Sequence, residues 1–320
     1  QTRDWVQALT VVLADGSVLD IPRGAFFAHP NGYFELEYPD GRVATVPLPR
    51  YTAPNLAKVS AGYNLHDGDL INLFIGADGT LGIITQATLR TAPLGYACWL
   101  MITCASEAQA LALNDRLIAA SPKAGAIRPD RLNITAIEYI DEASVELLRA
   151  DSQARPEIKP PERSRALLLA QVEMERDPAL RDAQLDLLLE ALGAFDGLDD
   201  VVLATPNEPD LIETFTKQRE AVPIGVNRRI SLAKDTLDPR ISKAATDMIV
   251  PPDMVGAMME RFRQAYAAEG IAVCCWGHSS DGNFHFNALP QSYDEYDRAT
   301  KLILRLGQIA IDMGGCPLSE

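Results

Sequence analysis

Short runs of alternating apolar and polar residues dominate the first 92 positions of the 320-residue chain. Leu9 to Pro22 holds two apolar runs around Asp15-Gly16, a dipeptide that tolerates the positive φ of a tight hairpin turn. Phe34 to Pro47 repeats the pattern and turns at Pro39-Asp40-Gly41. Asp69 to Ile75 and Ile83 to Leu89 read as two more strands, flanking a glycine-rich turn, and helical spacing is nearly absent here. From about residue 96 the texture changes. Apolar residues recurring at steps of three and four predict helices near 106–120, 136–149, 179–194, 208–220, 252–269 and 291–313. Strands fit 98–104, 166–174, 200–204, 271–277 and 284–289, and the prolines and charges of Arg155 to Glu162 predict a surface loop. The expectation is an α+β protein of two domains, residues 1–95 and 96–320, the second with helices on a mainly antiparallel sheet.

Charge narrows the function. With 29 Lys+Arg against 44 Asp+Glu the net charge is −15, and no run of basic residues offers the face that phosphate contacts need, so nucleic acid is not an expected partner. No apolar stretch approaches the ~18–20 residues that cross a bilayer, which predicts a cytoplasmic protein, at most peripheral to a membrane. The five cysteines, Cys98, Cys104, Cys274, Cys275 and Cys316, include no C-x-x-C pair and are expected to be reduced and buried. The chain opens at Gln1 rather than methionine and stops soon after Gly314-Gly315, which reads as a segment of a longer protein.

Two motifs stand out. In Gly76-Ala-Asp-Gly-Thr-Leu-Gly82 the glycines recur every three residues, but a strand rather than a helix is expected to follow, so no helix N-terminus waits for a pyrophosphate and the motif is no Rossmann loop. It is either a plain tight connection or a place where backbone approaches a ligand without a Cβ in the way. The second motif is Trp276-Gly-His278-Ser-Ser-Asp-Gly-Asn-Phe-His285-Phe-Asn287-Ala-Leu-Pro290, which holds two of the chain's four histidines. Seven residues apart on one continuous strand, the rings would face opposite ways; Asp281-Gly282-Asn283 predicts a turn that lets them converge. Beyond it Phe284, Phe286 and Ala288 share one face, and His285 and Asn287 the other.

These motifs resemble the FAD-linked oxidases of the vanillyl-alcohol oxidase superfamily, nearest to D-lactate dehydrogenases and the flavin subunit of glycolate oxidase. Ala61-Gly-Tyr63, Asp69 to Thr85 and Ala87-Thr-Leu-Arg90 are similar to the late flavin-domain signature, with Asp78 where glutamate is commoner. Gly-His-x-x-Asp-Gly-Asn-x-His is similar to a signature of the family's cap domain, and Gly314-Gly-Cys-Pro-Leu-Ser-Glu320 to the start of a later Gly-Gly-x-x-x-x-Glu-His-Gly segment. Ile134 to Asp141 resembles an Ala-x-Glu-hydrophobic-hydrophobic-Asp stretch, Gln218-Arg-Glu220 an Arg-Glu pair, and Asp247 to Pro251 an Asp-x-x-x-Pro segment.

The resemblance implies the second half of a PCMH-type FAD-binding domain over 1–95 and an α+β cap (substrate) domain over 96–320. It implies FAD along Gly76, Asp78, Gly79, Thr80, Gly82, Ile83 and Ile84, held mostly by backbone amides. A divalent metal (Zn, Mn or Fe) is implied on His278, His285 and Glu320, with Arg219, His285 and Asn287 as catalytic residues. Arg219 would grip the carboxylate of a small 2-hydroxy acid with a bidentate fork; read alone, it is a surface charge at a helix end. Some relatives carry a lysine where this chain has Ala245, which speaks against a dicarboxylate substrate. The implied chemistry is hydride transfer from the substrate Cα–H to flavin N5, with the metal polarising the hydroxyl and an electron-acceptor protein or quinone reoxidising the flavin. A homodimer is compatible with it. The histidine that follows the glutamate in the family, a candidate base, is absent. Two other readings compete: a non-flavin metal hydrolase built on His278, His285 and Asp281, and a catalytically silent ligand-binding or subunit-interaction domain.

Overall fold

The computed structural model describes residues 2–38, 40–48, 51, 54–64, 68–92, 95–121, 130–193 and 201–319. The chain forms two compact units, residues 1–93 and 94–319.

In the first unit β1 (Val6–Val12) pairs antiparallel with β2 (Val18–Pro22), Leu9 opposite Ile21, as the Asp15-Gly16 signal predicts. Gly16 has φ +83°, and the Ser17 amide donates to the Asp15 carboxylate at 2.9 Å. A second hairpin joins β3 (Tyr33–Glu37) and β4 (Val43–Pro47); Pro39 of its expected turn lies outside the described residues. The expected strand over 69–75 is instead a one-turn helix, α1 (Ile71–Phe74). Asp69 redirects the chain here. Its carboxylate accepts the Gly24 amide at 2.8 Å, while its carbonyl accepts the Asn72 amide at 3.0 Å. Leu70, Ile71 and Phe74 then pack with Val6, Leu9, Val11, Ile21 and Phe34 in the unit's core. Ile83–Leu89 is a strand, β5, paired with β1 in the sheet order β2-β1-β5, and all seven of its residues are exposed.

The second unit is built on a seven-stranded sheet whose pairs are all antiparallel. Its strands are β6 (Tyr96–Cys104), β7 (Ile134–Ile140), β8 (Ala166–Met174), β9 (Val201–Ala204), β10 (Met248–Ile249), β11 (Val273–His278) and β12 (Asn283–Ala288). Their order is β10-β12-β11-β7-β8-β6-β9. One face is covered by α2 (Glu107–Ala120), α4 (Pro178–Leu192), α6 (Val255–Ala268) and α7 (Tyr293–Asp312), and the largest core lies beneath them. The other face packs on α3 (Glu142–Asp151) and α5 (Pro209–Thr236) through Ile140, Leu148, Leu167, Leu169, Phe215 and Val222.

Two expectations need correction here. The stretch 136–149 is not one helix: its first part is β7, and Asp141 caps α3 by accepting the Ser144 amide at 2.8 Å. Ile134, Ile137 and Ile140 satisfy a three-residue step, but they are β-branched and their backbone is taken by β8. The helix expected to end near 220 runs on through Pro223 to Thr236. Proline ordinarily discourages such continuation, since it cannot donate to the carbonyl four residues earlier, here that of Arg219. Burial of Ala221, Val222, Gly225, Val226 and Ile230 against the sheet outweighs that cost. The expected loop 155–162 contains a short 3-10 helix, Pro156–Ile158, that buries Ile158. All five cysteines are free and buried. Among the described residues no helix is long and apolar enough to cross a membrane.

Candidate active site

The turn between β11 and β12 does what the spacing of the histidines requires. The Asp281 amide donates to the His278 carbonyl at 2.9 Å, and Gly282 has φ +81°. A Cβ at Gly282 would run into the Val250 carbonyl, so both conformation and space demand glycine. Past the turn Phe284, Phe286 and Ala288 are fully buried in the main core, and His285 and Asn287 lie on the opposite face.

The two imidazoles meet edge to face, with centroids 5.4 Å apart. Each has a carboxylate at Nδ1: Glu138 Oε1 lies 2.9 Å from His278, and Asp247 Oδ1 lies 3.3 Å from His285. A carboxylate accepts, so Nδ1 carries the hydrogen and the ring lone pair sits on Nε2. That is how a metal-binding histidine is usually oriented, so the donor set fits a divalent ion held from the Nε2 side. Asp247 is itself fixed by Asn283 Nδ2 at 3.0 Å and Ser319 Oγ at 2.9 Å. Ser319 is thus joined to the carboxylate that faces His285, while the third expected ligand, Glu320, lies outside the described residues. Among the described residues alone, no group of three or more His, Cys, Asp and Glu has the arrangement of a metal site.

Arg219 comes to the same face from α5. Its Nη2 lies 3.0 Å from Glu138 Oε1, the oxygen that also faces His278, and its side chain is 41 % exposed. Sequence alone offered it as a surface charge at a helix end; in the structure it is a half-exposed cation that shares Glu138 Oε1 with His278. Asn287 is 1 % exposed; its Nδ2 donates to the His285 carbonyl at 3.2 Å, and its buried Oδ1 has no partner among the described residues. Trp276 borders His285, ring centroids 6.2 Å apart. Sequence reasoning gave no role to Glu138, Asp247 or Ser319. For Glu138 a signal existed, a lone acid inside the apolar run Ile134 to Ile140.

Below the sheet, Arg263 joins Asp141 at 3.2 Å and Glu107 at 2.8 Å. Burial pushes the Asp141 carboxyl above its ordinary range, against the opposing pull of Arg263 and Ser144, and burial raises Glu107 in the same direction. The thiols of Cys98 and Cys274 are pushed up by burial to about 11 and about 12, which argues against nucleophilic roles.

The glycine-rich turn belongs to the first unit, where it links α1, rather than a strand, to β5. Asp78 and Gly79 have φ +49° and +71°, and the Thr80 amide donates to the Ala77 carbonyl at 2.9 Å, a type I′ turn. The amides of Asp78 and Gly79 donate to no acceptor among the described residues. A Cβ at Gly76 or Gly79 would meet nothing within 4 Å. Open space, amides without an acceptor among the described residues and the exposed apolar side chains of Ile83 and Ile84 fit a flat ligand laid along the turn. The Thr80 hydroxyl is engaged with Tyr63 at 2.9 Å. Gly82 has a different reason to be glycine: a Cβ there would fall 2.7 Å from Val11 Cγ1 and 2.9 Å from the Val12 carbonyl of β1.

A family model described as FAD linked oxidases, C-terminal domain, matches residues 105–320. The glycolate oxidase subunit GlcD of Bacillus subtilis is 26 % identical over 322 residues, covering 100 % of this chain and 55 % of the relative. An uncharacterized FAD-linked oxidoreductase of Mycobacterium tuberculosis is 30 % identical over 279 residues, covering 84 % and 52 %. The mitochondrial D-lactate dehydrogenase [cytochrome] 1 of Saccharomyces cerevisiae is 23 % identical over 288 residues, covering 88 % and 43 %. The chain thus spans about half the length of these curated relatives. Among solved structures, alkyldihydroxyacetonephosphate synthase superposes with a TM-score of 0.52 at 15 % identity, covering 99 % of this chain and 49 % of that one. p-Cresol methylhydroxylase gives 0.51 at 12 % identity, covering 98 % and 57 %. At these identities the likeness concerns the fold, which is that of the PCMH-type flavoproteins.

Proposed function

The chain belongs to the family of FAD-linked oxidases, and from that membership we propose that the protein dehydrogenates a small 2-hydroxy acid of the D-lactate or glycolate type. The observation that carries the proposal is the convergence of two carboxylate-oriented imidazoles and one guanidinium on a single sheet face. The names of the relatives, glycolate oxidase and D-lactate dehydrogenase, support the substrate class. FAD would lie along the Gly76–Ile84 turn, and a divalent metal (Zn, Mn or Fe) would be held by His278 and His285, with Glu320 as the third protein ligand.

When bound, the flavin supplies a hydride acceptor at N5 and the metal a Lewis acid for the substrate hydroxyl. Everything else falls to the chain's own side chains. Arg219 receives the substrate carboxylate, and its planar fork fixes the rotation of the acid about its long axis. Glu138 and Asp247 each hold an imidazole through its Nδ1 atom and so orient the rings of His278 and His285. Asn287 pins the backbone of His285, and its unmatched buried oxygen offers an acceptor on the same face. Reoxidation of the flavin is left to an electron-acceptor protein or quinone.

The deciding experiment is anaerobic mixing of the FAD-loaded protein with D-lactate and with glycolate while the visible flavin band is followed. Bleaching by one of these acids, lost in Arg219→Ala, is the expected result. A band untouched by any short 2-hydroxy acid overturns the proposal.

A further inference from the structure

Two functional groups of the proposed site meet at one oxygen atom. Glu138 Oε1 lies 2.9 Å from His278 Nδ1 and 3.0 Å from Arg219 Nη2. We infer that Glu138 is a positioning residue for both the anion-binding fork and the metal-facing imidazole, so that one carboxylate sets the spacing between substrate carboxylate and substrate hydroxyl. The inference rests on the proposed function and deepens it.

Backbone and burial support the role. Glu138 is the Cα partner of His278 across β7 and β11, so the reach of its side chain is fixed by a sheet register and not by a loop. Its side chain is only 10 % exposed, against 25 % for His278 and 41 % for Arg219, so the least solvated member of the trio holds the other two. A charged acceptor in such surroundings binds its donors more strongly than it would in water. Asp247 provides the contrast. It faces His285 at 3.3 Å and accepts from Asn283 Nδ2 at 3.0 Å and Ser319 Oγ at 2.9 Å, contacts that tie it to the second imidazole rather than to Arg219. Glu138→Gln keeps the shape and can keep an oxygen at the shared position, but it removes the negative charge that both donors meet there.

The two carboxylates therefore predict different patterns of loss. In the FAD-loaded protein, Mn2+ serves as the probe metal, with its dissociation constant taken from chelator competition; KM and kcat are measured for whichever of D-lactate and glycolate the wild type turns over. Glu138→Gln is expected to weaken Mn2+ binding by about 10- to 100-fold and to raise KM by roughly ten-fold, with the thermal midpoint little changed. Asp247→Asn is expected to weaken Mn2+ binding while KM at saturating Mn2+ stays within about two-fold of wild type. If Glu138→Gln does not fold, Glu138→Asp, which keeps the charge and withdraws it by one methylene, is read on the same two quantities. Wild-type values for Mn2+ or for KM in the folded Glu138 variant overturn the shared role and leave the proposed function standing. A wild type that binds no Mn2+ overturns the metal centre and this inference together. If neither acid is turned over, the proposed substrate class fails and the shared role falls with it, while the Mn2+ measurement still reads the hold of Glu138 on His278.

Discussion

His278 and His285 lie seven positions apart in sequence, yet their rings stand perpendicular within van der Waals reach, centroids 5.4 Å apart and planes at 87°. The hairpin between β11 and β12 produces that contact, and Gly282 permits the hairpin. Two imidazoles so close, each with a carboxylate behind it, are the pair that the proposed metal centre would use.

Removing either ring should therefore empty the site. His278→Ala and His285→Ala are each expected to lower retained metal at least ten-fold relative to wild type, as read by elemental analysis after gel filtration. Retention of wild-type metal by both variants would assign the pair to another purpose.

Arg219→Lys tests the fork. A lysine keeps the charge but offers a point rather than two parallel donors, and kcat/KM is expected to fall roughly ten-fold or more, mainly through KM. Unchanged kinetics would return Arg219 to the status of a surface charge.

The glycines of the turn proposed to carry the flavin are predicted to part company. Gly79→Asn tolerates the left-handed backbone but fills the open space before the turn, so FAD retention should drop while the melting temperature holds. Gly82→Ala presses on Val11 and the Val12 carbonyl, and should cost about 1–3 kcal/mol of stability whether or not FAD is present. Identical behaviour of the two variants in absorbance and melting would contradict the assignment.

Asp141 gives a pH dependence with a definite sign. Its folded-state carboxyl lies above the ordinary value of 3.8 because it is buried, so between that value and its raised one the folded state holds more proton than the unfolded state. Its contribution to stability accordingly falls as pH rises through that window and is level above it. Asp141→Asn keeps an amide oxygen to cap α3 and should remove part of this downward slope in a series of urea titrations from pH 4 upward. An unaltered slope would mean that Asp141 titrates normally.

Local patterns revealed what is locally determined. The Asp15-Gly16 hairpin, the 166–174 strand, and the opposed faces of Phe284 and His285 follow from turn chemistry and two-residue periodicity, and they stand in the structure as read. Ile134, Ile137 and Ile140 misled because their spacing suits a helix as well as a strand, and only pairing with β8 decides. Asp69 to Ile75 misled because a side-chain and carbonyl acceptor at one residue turned a β-like composition into a helical turn. Glu138 lies 140 residues from His278, and no window along the sequence contains both. The resemblance gave roles to the histidines and Arg219, whereas Glu138 stood only as the acid of the Ala-x-Glu-hydrophobic-hydrophobic-Asp stretch, with no role attached.

The pairing of Glu138 with His278 also joins β7 to β11, strands formed early and late in the chain and matched over only three residue pairs, Ile140 with Trp276, Tyr139 with Gly277 and Glu138 with His278. Contacts so distant in sequence close slowly, because much chain entropy is lost before they form. A slip of one residue would turn Glu138 into the core and bring Tyr139 to the histidines, burying a charge and dismantling the site in the same movement. Correct folding of this sheet and assembly of its chemistry are thus one event, and a kinetically trapped molecule with the wrong register would be inert and marked by an unstable core.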